Sequence, residues 1–112
     1  MKVAVSSTGE SIDSDVSLVF GRCPYFIMVE TDNSNILKVE VIKNISADQR
    51  GGAGIAAAQT VAEQDVTAVI TGNLGPRALD VLNQFNIKAY KKSGSVRESI
   101  KELIRGKLKS IQ

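Results

Sequence analysis

The only cysteine of the chain, Cys23, is the first residue to consider for chemistry. It lies between Arg22 and Pro24 in the segment GRCPYF, residues 21–26, and the chain has no histidine. A thiolate is a nucleophile and a metal ligand, and a neighbouring guanidinium is expected to lower the pKa of the thiol. Three interpretations stay open: a single metal ligand, a small half-buried apolar residue, or a redox or catalytic group.

The residue types exclude several catalytic centres. A tetrahedral zinc site needs several cysteine or histidine ligands, and a Ser–His–Asp or Cys–His set needs a histidine. Iron–sulfur clusters are commonly held by four thiolates, whereas this chain supplies one. The phosphate-binding pattern G-x-x-x-x-G-K-[ST] is absent, and no G-x-G-x-x-G follows the first predicted strand. The residue types thus rule out these particular centres and motifs.

Two glycine-rich segments have the composition of an anion-binding site. GGAG (51–54) and GNLGP (72–76) each precede a predicted helix. A helix start offers unpaired N–H groups and a partial positive charge, and glycine allows a ligand close to the backbone. Arg22, Arg50 and Arg77 come from three loops and could add positive charge. The alternative is that the glycines only form turns and the arginines are solvated.

The elements that position these segments follow from hydrophobic patterning. Short apolar or alternating runs predict strands at 3–5, 25–29, 37–41, 66–70 and 87–90. Helices are predicted over 52–63, from Pro76 onward and from Ser95 onward, where Ser95 and Glu98 form an S-x-x-E capping box. The predicted apolar stripes are Ile55, Ala58 and Ala62 in the first helix, Ala78, Leu79, Leu82 and Phe85 in the second, and Val96, Ile100, Leu103, Ile104 and Leu108 in the third.

The element order β-β-β-α-β-α-β-α predicts an α/β fold with the ribonuclease H-like layout. Three closely linked strands form an antiparallel meander, and a strand that follows a helix runs parallel to its neighbour. The second and fourth strands are the most apolar, which favours a five-stranded mixed sheet of order 3-2-1-4-5 with helices on both faces. A ribonuclease H-type nuclease also needs several carboxylates around metal ions, and the first and fourth strands carry none.

This topology predicts where the loops meet. The loops at 6–24, 44–52, 71–75 and 92–95 all leave from one edge of the sheet, opposite the turn at 32–35. In open sheets with helices on both faces, ligands favour the crevice beyond the carboxyl ends of the strands. That crevice is expected between the first and fourth strands.

Bulk properties indicate one globular domain over residues 1–112, with 43% hydrophobic and 23% charged residues. A single cysteine fits a reducing cytoplasmic setting, and neither a signal peptide nor a membrane span is expected. The net charge is −4 over residues 1–85 and +6 over residues 86–112. Such a basic segment is either the solvated face of a last helix or a contact for nucleic acid or an acidic partner.

Five segments in order resemble the nitrogenase iron–molybdenum cofactor biosynthesis family, which includes NifX-like small proteins and the C-terminal domain of NifB. They are MKVAV (1–5), FGRCPYF (20–26), GGAG (51–54), ITGNLGPRAL (70–79) and IKAY (87–90). The resemblance implies a ribonuclease H-like fold and a non-catalytic carrier that binds anionic iron–sulfur clusters. The positions it carries over are Phe20, Gly21, Arg22, Cys23, Gly51, Gly52, Ala53, Gly54, Gly72, Asn73 and Gly75. Arg77 is added to these positions because its positive charge lies at the predicted start of the second helix.

One position departs from the family. Many cofactor-handling members have histidine directly before FGR, where this chain has Val19, so one metal ligand is missing. The resemblance implies a transiently bound iron–sulfur or iron–molybdenum-type cluster, with Cys23 as a single ligand, and a cluster donor or acceptor protein as partner. The alternative is a phosphate, nucleotide or nucleic-acid binding module that uses the same crevice, although nucleic acid is the less favoured ligand. The alternating strand at 37–41 is an edge that could pair with a second copy in a homodimer.

Overall fold

Five strands and three helices make up the protein in the computed structural model, which describes residues 1–112. The strands are β1 Lys2–Ser7, β2 Tyr25–Thr31, β3 Ile36–Lys43, β4 Ala68–Thr71 and β5 Lys88–Lys91. The helices are α1 Ala53–Ala62, α2 Pro76–Gln84 and α3 Val96–Ile104. The predicted element order is confirmed. None of the helices is long and apolar enough to cross a membrane.

The strands form one mixed sheet of order β3-β2-β1-β4-β5, as predicted. β1 and β3 are both antiparallel to β2, whereas β4 is parallel to β1 and β5 is parallel to β4. Val5 at the centre of the sheet is paired with Ile27 of β2 and with Ile70 of β4. Strands β1, β3, β4 and β5 therefore all end at the same edge of the sheet.

The period-two alternation of the strands sends side chains into two separate cores. Ala4 of β1 belongs to the core under α1 and α2, whereas Val3 and Val5 belong to the core under α3. Ala58 of α1 and Leu82 of α2 are buried in the first of these cores, and Ile100 of α3 is buried in the second. The prediction of helices on both faces is thus confirmed, with two helices on one face and one on the other.

The predicted apolar stripes of α1 and α2 are partly wrong. The buried residues of α1 are Ala53, Ala57, Ala58 and Val61. Ile55 and Ala62 are only half-buried, because small alanines let α1 pack closely on the sheet along a face rotated from the predicted one. Phe85 is 56% exposed because α2 ends at Gln84, one residue before it.

Helix α3 agrees with its sequence signals. The Ser95 hydroxyl accepts a hydrogen bond from the Glu98 N–H at 3.1 Å, which satisfies one of the free donors of the first turn. Val96 and Ile100 are buried, and the later apolar residues Leu103, Ile104 and Leu108 pack against the same core.

The two edges of the sheet differ in their protection. The C-terminal segment covers β5: the Ile111 N–H donates to the Ala89 carbonyl at 2.7 Å. The Gln112 side chain accepts from the Ala89 N–H at 3.0 Å and donates to the Ile87 carbonyl at 2.8 Å. Strand β3 pairs only with β2, so its outer edge has no partner strand.

Candidate functional site

A cleft of about 420 Å³ opens where α1 and α2 begin. It is formed by segments from the loops after β1, β3 and β4, together with the first turns of the two helices. We call it the α1–α2 cleft. Its lining residues are Val19, Phe20, Gly21, Gly52, Ala53, Gly54, Ile55, Asn73, Leu74, Gly75, Pro76, Arg77 and Ala78.

The start of α1 lines this cleft and has backbone donors that are unpaired within the protein. Gly52 is its N-cap with φ 70°, a left-handed conformation that favours glycine. The Gly52 carbonyl accepts the first helical hydrogen bond, from the Ala56 N–H at 2.9 Å. The N–H groups of Ala53, Gly54 and Ile55 have no acceptor within the chain. No side chain caps them either, so these donors are unpaired within the protein.

The start of α2 has the same character. Gly75 is the N-cap, and its carbonyl accepts from the Leu79 N–H at 3.1 Å. Pro76 occupies the first helical position, where the missing N–H is no loss. The N–H groups of Arg77 and Ala78 have no acceptor within the chain. Two helix N-termini, each with a partial positive charge of about half an elementary charge, therefore border one cleft.

Arg77 is the only charged residue that lines the α1–α2 cleft. Its side chain is exposed and makes no hydrogen bond or ion pair to the protein. No carboxylate lines the cleft to neutralise it. The formal charge of Arg77 adds to the two helix termini, so the electrostatics of the cleft favour an anion.

Direct backbone packing holds the cleft together. A Cβ placed on Gly21 would lie 2.6 Å from the nitrogen of Gly54, and one placed on Gly72 would lie 2.6 Å from the Cα of Leu18. The Gly72 N–H also donates to the Ser17 carbonyl at 2.9 Å. These glycines allow the loop after β1 to contact both the start of α1 and the loop after β4.

Of the three arginines that could add charge to the crevice, only Arg77 lines it. Arg22 donates hydrogen bonds to the carbonyls of Ala47, Gln49 and Arg50, at 3.1, 2.7 and 3.3 Å. Its guanidinium thus holds the loop after β3 in place rather than lining the cleft. Arg50 is exposed and also lies outside the cleft lining.

The expectation that Arg22 activates the thiol of Cys23 is wrong. Cys23 has no exposed surface and belongs to the core under α1 and α2. Burial, which disfavours the charged thiolate, raises the pKa of Cys23 from 9.0 to about 11. The Cys23 carbonyl accepts from the Asn44 side chain at 2.8 Å. Cys23 therefore has the surroundings of a core residue and does not line the cleft.

The fourth predicted loop, 92–95, lies apart from the other three. The Val16 N–H donates to the Gly94 carbonyl at 2.8 Å, and the Val96 N–H donates to the Ser14 carbonyl at 2.9 Å. Arg97 forms an ion pair with Asp13 at 2.8 Å. This loop therefore packs against the first half of the loop after β1, on the α3 side of the sheet.

The structure gathers most of the sequence-predicted positions at the cleft. Those that line it are Phe20, Gly21, Gly52, Ala53, Gly54, Asn73, Gly75 and Arg77; those that do not are Arg22, Cys23, Gly51 and Gly72. Five lining residues were not selected from the sequence: Val19, Ile55, Leu74, Pro76 and Ala78. Four of these five directly follow a selected glycine, asparagine or arginine in the chain. The sequence could therefore have indicated them, because consecutive residues at the start of each helix line the cleft.

Asn44 is a positioning residue that the sequence analysis missed. Its buried side-chain amide donates to the carbonyls of Gly21 and Cys23, at 3.0 and 2.8 Å. Its carbonyl oxygen accepts from the Ser46 N–H at 3.1 Å. The sequence offered one indication: Asn44 directly follows β3, and polar residues at the carboxyl ends of strands commonly lie near a site.

Side chains do not assemble a metal-ion site anywhere in the protein. No group of three or more histidine, cysteine, aspartate or glutamate residues is close enough to hold a metal ion. The α1–α2 cleft instead offers backbone N–H donors, one guanidinium and apolar walls from residues such as Val19, Ile55 and Leu74. Chemically, this arrangement can bind an anion by hydrogen bonds and charge.

Comparisons with known proteins agree with this architecture. A protein of Methanocaldococcus jannaschii without an assigned function is 35% identical over 114 residues, which cover 100% of this chain and 97% of that protein. The apo orange protein of Desulfovibrio gigas superposes with a TM-score of 0.90 at 28% identity, covering 97% of this chain and 91% of that one. A candidate NifB protein from Thermotoga superposes with a TM-score of 0.79 at 32% identity, covering 98% and 92%.

The family assignment rests on nearly the full length of the sequence. The model of the family described as dinitrogenase iron-molybdenum cofactor matches residues 1–106, which include every segment that lines the α1–α2 cleft. The resemblance drawn from the short motifs is thereby confirmed, and the chain belongs to the dinitrogenase iron-molybdenum cofactor family.

Proposed function

We propose that the protein is a non-catalytic carrier that binds an anionic iron–sulfur metallocluster, or a precursor of one, in the α1–α2 cleft. Membership in the dinitrogenase iron-molybdenum cofactor family supports a cofactor-binding or carrier role in cluster biosynthesis. The single observation that carries the proposal is the convergence of two uncapped helix N-termini on one cleft.

The free N–H groups account for the affinity for an anion. Ala53, Gly54 and Ile55 on one side, and Arg77 and Ala78 on the other, have donors without protein acceptors. A cluster with a net negative charge and exposed sulfides can accept such hydrogen bonds. Arg77 adds one full positive charge at the same place.

The donor set also restricts the cargo. Because no cysteine, histidine or carboxylate lines the cleft, the protein cannot complete the coordination of a bare metal ion there. The cargo must bring its own ligands and stay intact while bound. Cys23 would become a ligand only after movement of the core around it, so we assign the binding to the residues that line the cleft.

A cluster held by charge and hydrogen bonds can leave without the breaking of a protein–metal bond. Such binding suits a carrier that receives a cluster from a donor protein and passes it to an acceptor. The apolar side chains of Leu18 and Val19 are 67% and 49% exposed. Val19 lines the cleft, and Leu18 directly precedes it in the chain. They offer a contact surface for that partner.

Anaerobic reconstitution tests the proposal. The protein is incubated with iron and sulfide, with and without a cluster donor, and its visible absorption and metal content are measured after desalting. We expect charge-transfer bands and stoichiometric metal when the donor supplies a preformed cluster, because the cleft has no side-chain ligand on which to build one. Arg77→Gln should weaken retention about fivefold, since an exposed charge pair is worth about 1 kcal/mol. Arg105→Gln, an exposed charge beyond the end of α3, is the matched control.

Absence of bound metal under all of these conditions contradicts the carrier proposal. Equal retention by the Arg77→Gln and wild-type proteins would move the site away from the α1–α2 cleft. Cys23→Ala should retain the cluster as well as wild type does, because Cys23 does not line the cleft.

A phosphate-binding function in the same cleft is the second candidate. The free N–H groups at two helix starts also suit phosphate oxygens. Thermal shifts with inorganic phosphate and nucleotides, and salt-dependent binding to RNA, distinguish the two candidates. A stabilisation by nucleotides that Arg77→Gln removes, without any bound metal, would favour this candidate over the carrier.

A further inference from the structure

The outer edge of β3 is the exposed sheet edge that the protein leaves uncovered. β5 at the opposite edge is paired by the C-terminal segment through Ile111 and Gln112. β3 is eight residues long and has no partner beyond β2. An unpaired edge of this length presents backbone donors and acceptors to any strand that can align with it.

The side chains on one face of β3 are apolar but exposed. Val39 and Val41 are paired with Val29 and Ile27 of β2, which are buried under α3. Val39 and Val41 themselves are 41% and 42% exposed, since α3 does not extend over the edge strand. Leu37, at the irregularity where β3 shifts register against β2, is 63% exposed. A row of apolar side chains therefore continues the α3-side core into solvent.

The charges on the other face are self-complementary. Lys38 and Glu40 are the two charged residues on either side of Val39, and their side chains form an exposed ion pair at 2.7 Å. When two copies of this strand run antiparallel about a two-fold axis at Val39, Lys38 of each copy lies opposite Glu40 of the other. Leu37 then lies opposite Val41, and Val39 lies opposite Val39.

We propose that β3 pairs with β3 of a second copy of this chain, centred on Val39, to form a homodimer with one continuous sheet. Such an interface uses the same surface on both copies, as two-fold symmetric dimers do. Opposite charges and apolar pairs directly across an antiparallel ladder are both favourable, whereas like charges there are unfavourable. A register centred on Glu40 would place the two Glu40 side chains opposite each other, so the charges select the register centred on Val39.

The mass of the protein in solution tests the pairing. The monomer is 12.0 kDa, and sedimentation or light scattering across a dilution series should show twice that mass at high concentration. Val39→Lys, which brings two like charges face to face, should raise the dissociation constant at least about tenfold. Lys88→Glu on β5, an exposed charge on the covered edge, is the matched control and should leave the dimer unchanged.

Charge exchange tests the register. Lys38→Glu and Glu40→Lys each place like charges across the two-fold axis and should weaken the dimer. The double variant Lys38→Glu/Glu40→Lys restores opposite charges and should recover the affinity. These residues lie outside the α1–α2 cleft, so cluster binding should not change in any of them and reports separately on the function proposed above.

Three outcomes overturn the proposal. If the measured mass stays that of a monomer at every concentration up to about 1 mM, the weak end of protein–protein affinity, then β3 does not pair with a second copy. A dimer that Val39→Lys does not weaken uses another surface. A dimer that Val39→Lys disrupts but the single charge reversals do not affect pairs in a different register.

Discussion

Gly21 contacts the backbone of Gly54 directly: a Cβ on residue 21 would lie 2.6 Å from the Gly54 nitrogen and 2.7 Å from its Cα. The two glycines are far apart in sequence and lie in different segments, FGRCPYF (20–26) and GGAG (51–54). Their contact joins the loop after β1 to the first turn of α1 and so builds one wall of the α1–α2 cleft. The contact explains why residue 21 has no side chain, independently of any ligand.

Gly21→Ala is predicted to destabilise the protein by about 1–3 kcal/mol, because the added methyl group must displace backbone atoms. Chemical denaturation followed by circular dichroism measures the change. Gly51→Ala is the control: a Cβ there would meet nothing within 4 Å, and Gly51 does not have a positive φ. Equal stabilities of the two variants would mean that the start of α1 shifts freely.

Arg22→Ala is predicted to loosen the loop after β3 without unfolding the protein. Arg22 bridges three carbonyls of that loop, so its loss should speed amide exchange at Ala47 and Gln49 about fivefold. Hydrogen exchange followed by NMR measures the effect. Arg50→Ala removes an arginine from the same loop without removing these bonds, and unchanged exchange in both variants would contradict the bracing role.

Asn44→Ala is predicted to cost about 2–4 kcal/mol of stability, since it leaves the buried carbonyl of Cys23 and the half-buried carbonyl of Gly21 without their donor. The same change should weaken ligand binding, because Gly21 lines the cleft. Asn83→Ala on the exposed face of α2 is the control and should lie within about 0.5 kcal/mol of wild type. Denaturation midpoints compare the three proteins, and a loss of binding without a loss of stability would assign Asn44 a direct contact.

The stability of the protein is predicted to fall between about pH 9 and pH 11 because of Cys23. Burial raises the pKa of the thiol from 9.0 to about 11, so the unfolded chain loses this proton first as the pH rises. The stabilisation is complete below pH 9 and is lost as the pH passes through 11, with a total on the order of 3 kcal/mol.

Cys23→Ala isolates this effect from lysine and tyrosine titration over the same range. The difference in free energy of unfolding between wild type and Cys23→Ala should shrink as the pH rises. A difference that stays constant would mean that the thiol titrates normally, and fast thiol labelling of the native protein near neutral pH would contradict its burial.

The strand order and the helix starts were open to prediction because each depends on a local pattern. The unbroken apolar run at 25–29 and the alternating run at 37–41 distinguish a central strand from an edge strand. Pro76 after Gly75, and Ser95 three residues before Glu98, mark helix starts through the geometry of the first turn alone. Topology rules then place the loops after β1, β3 and β4 at one edge of the sheet.

The contacts of individual side chains were not open to prediction in the same way. The sequence shows Arg22 beside Cys23 and suggests that the two interact. In the folded protein the guanidinium contacts carbonyls from Ala47 to Arg50, while the thiol lies in the core near Asn44. These contacts join residues more than twenty positions apart, so no local pattern encodes them.

By itself, the sequence determined the fold class, the sheet order and the presence of two glycine-rich helix starts, because backbone propensities and hydrophobic periodicity act over a few neighbouring residues. Only the tertiary structure decided that Arg77, and not Arg22 or Arg50, lies at the cleft, and that Cys23 is a core residue. The physical reason is that the direction of a loop side chain depends on which remote backbone packs against it. Here Gly21 packs against Gly54 and lines the cleft, whereas Cys23 of the same loop is buried in the core.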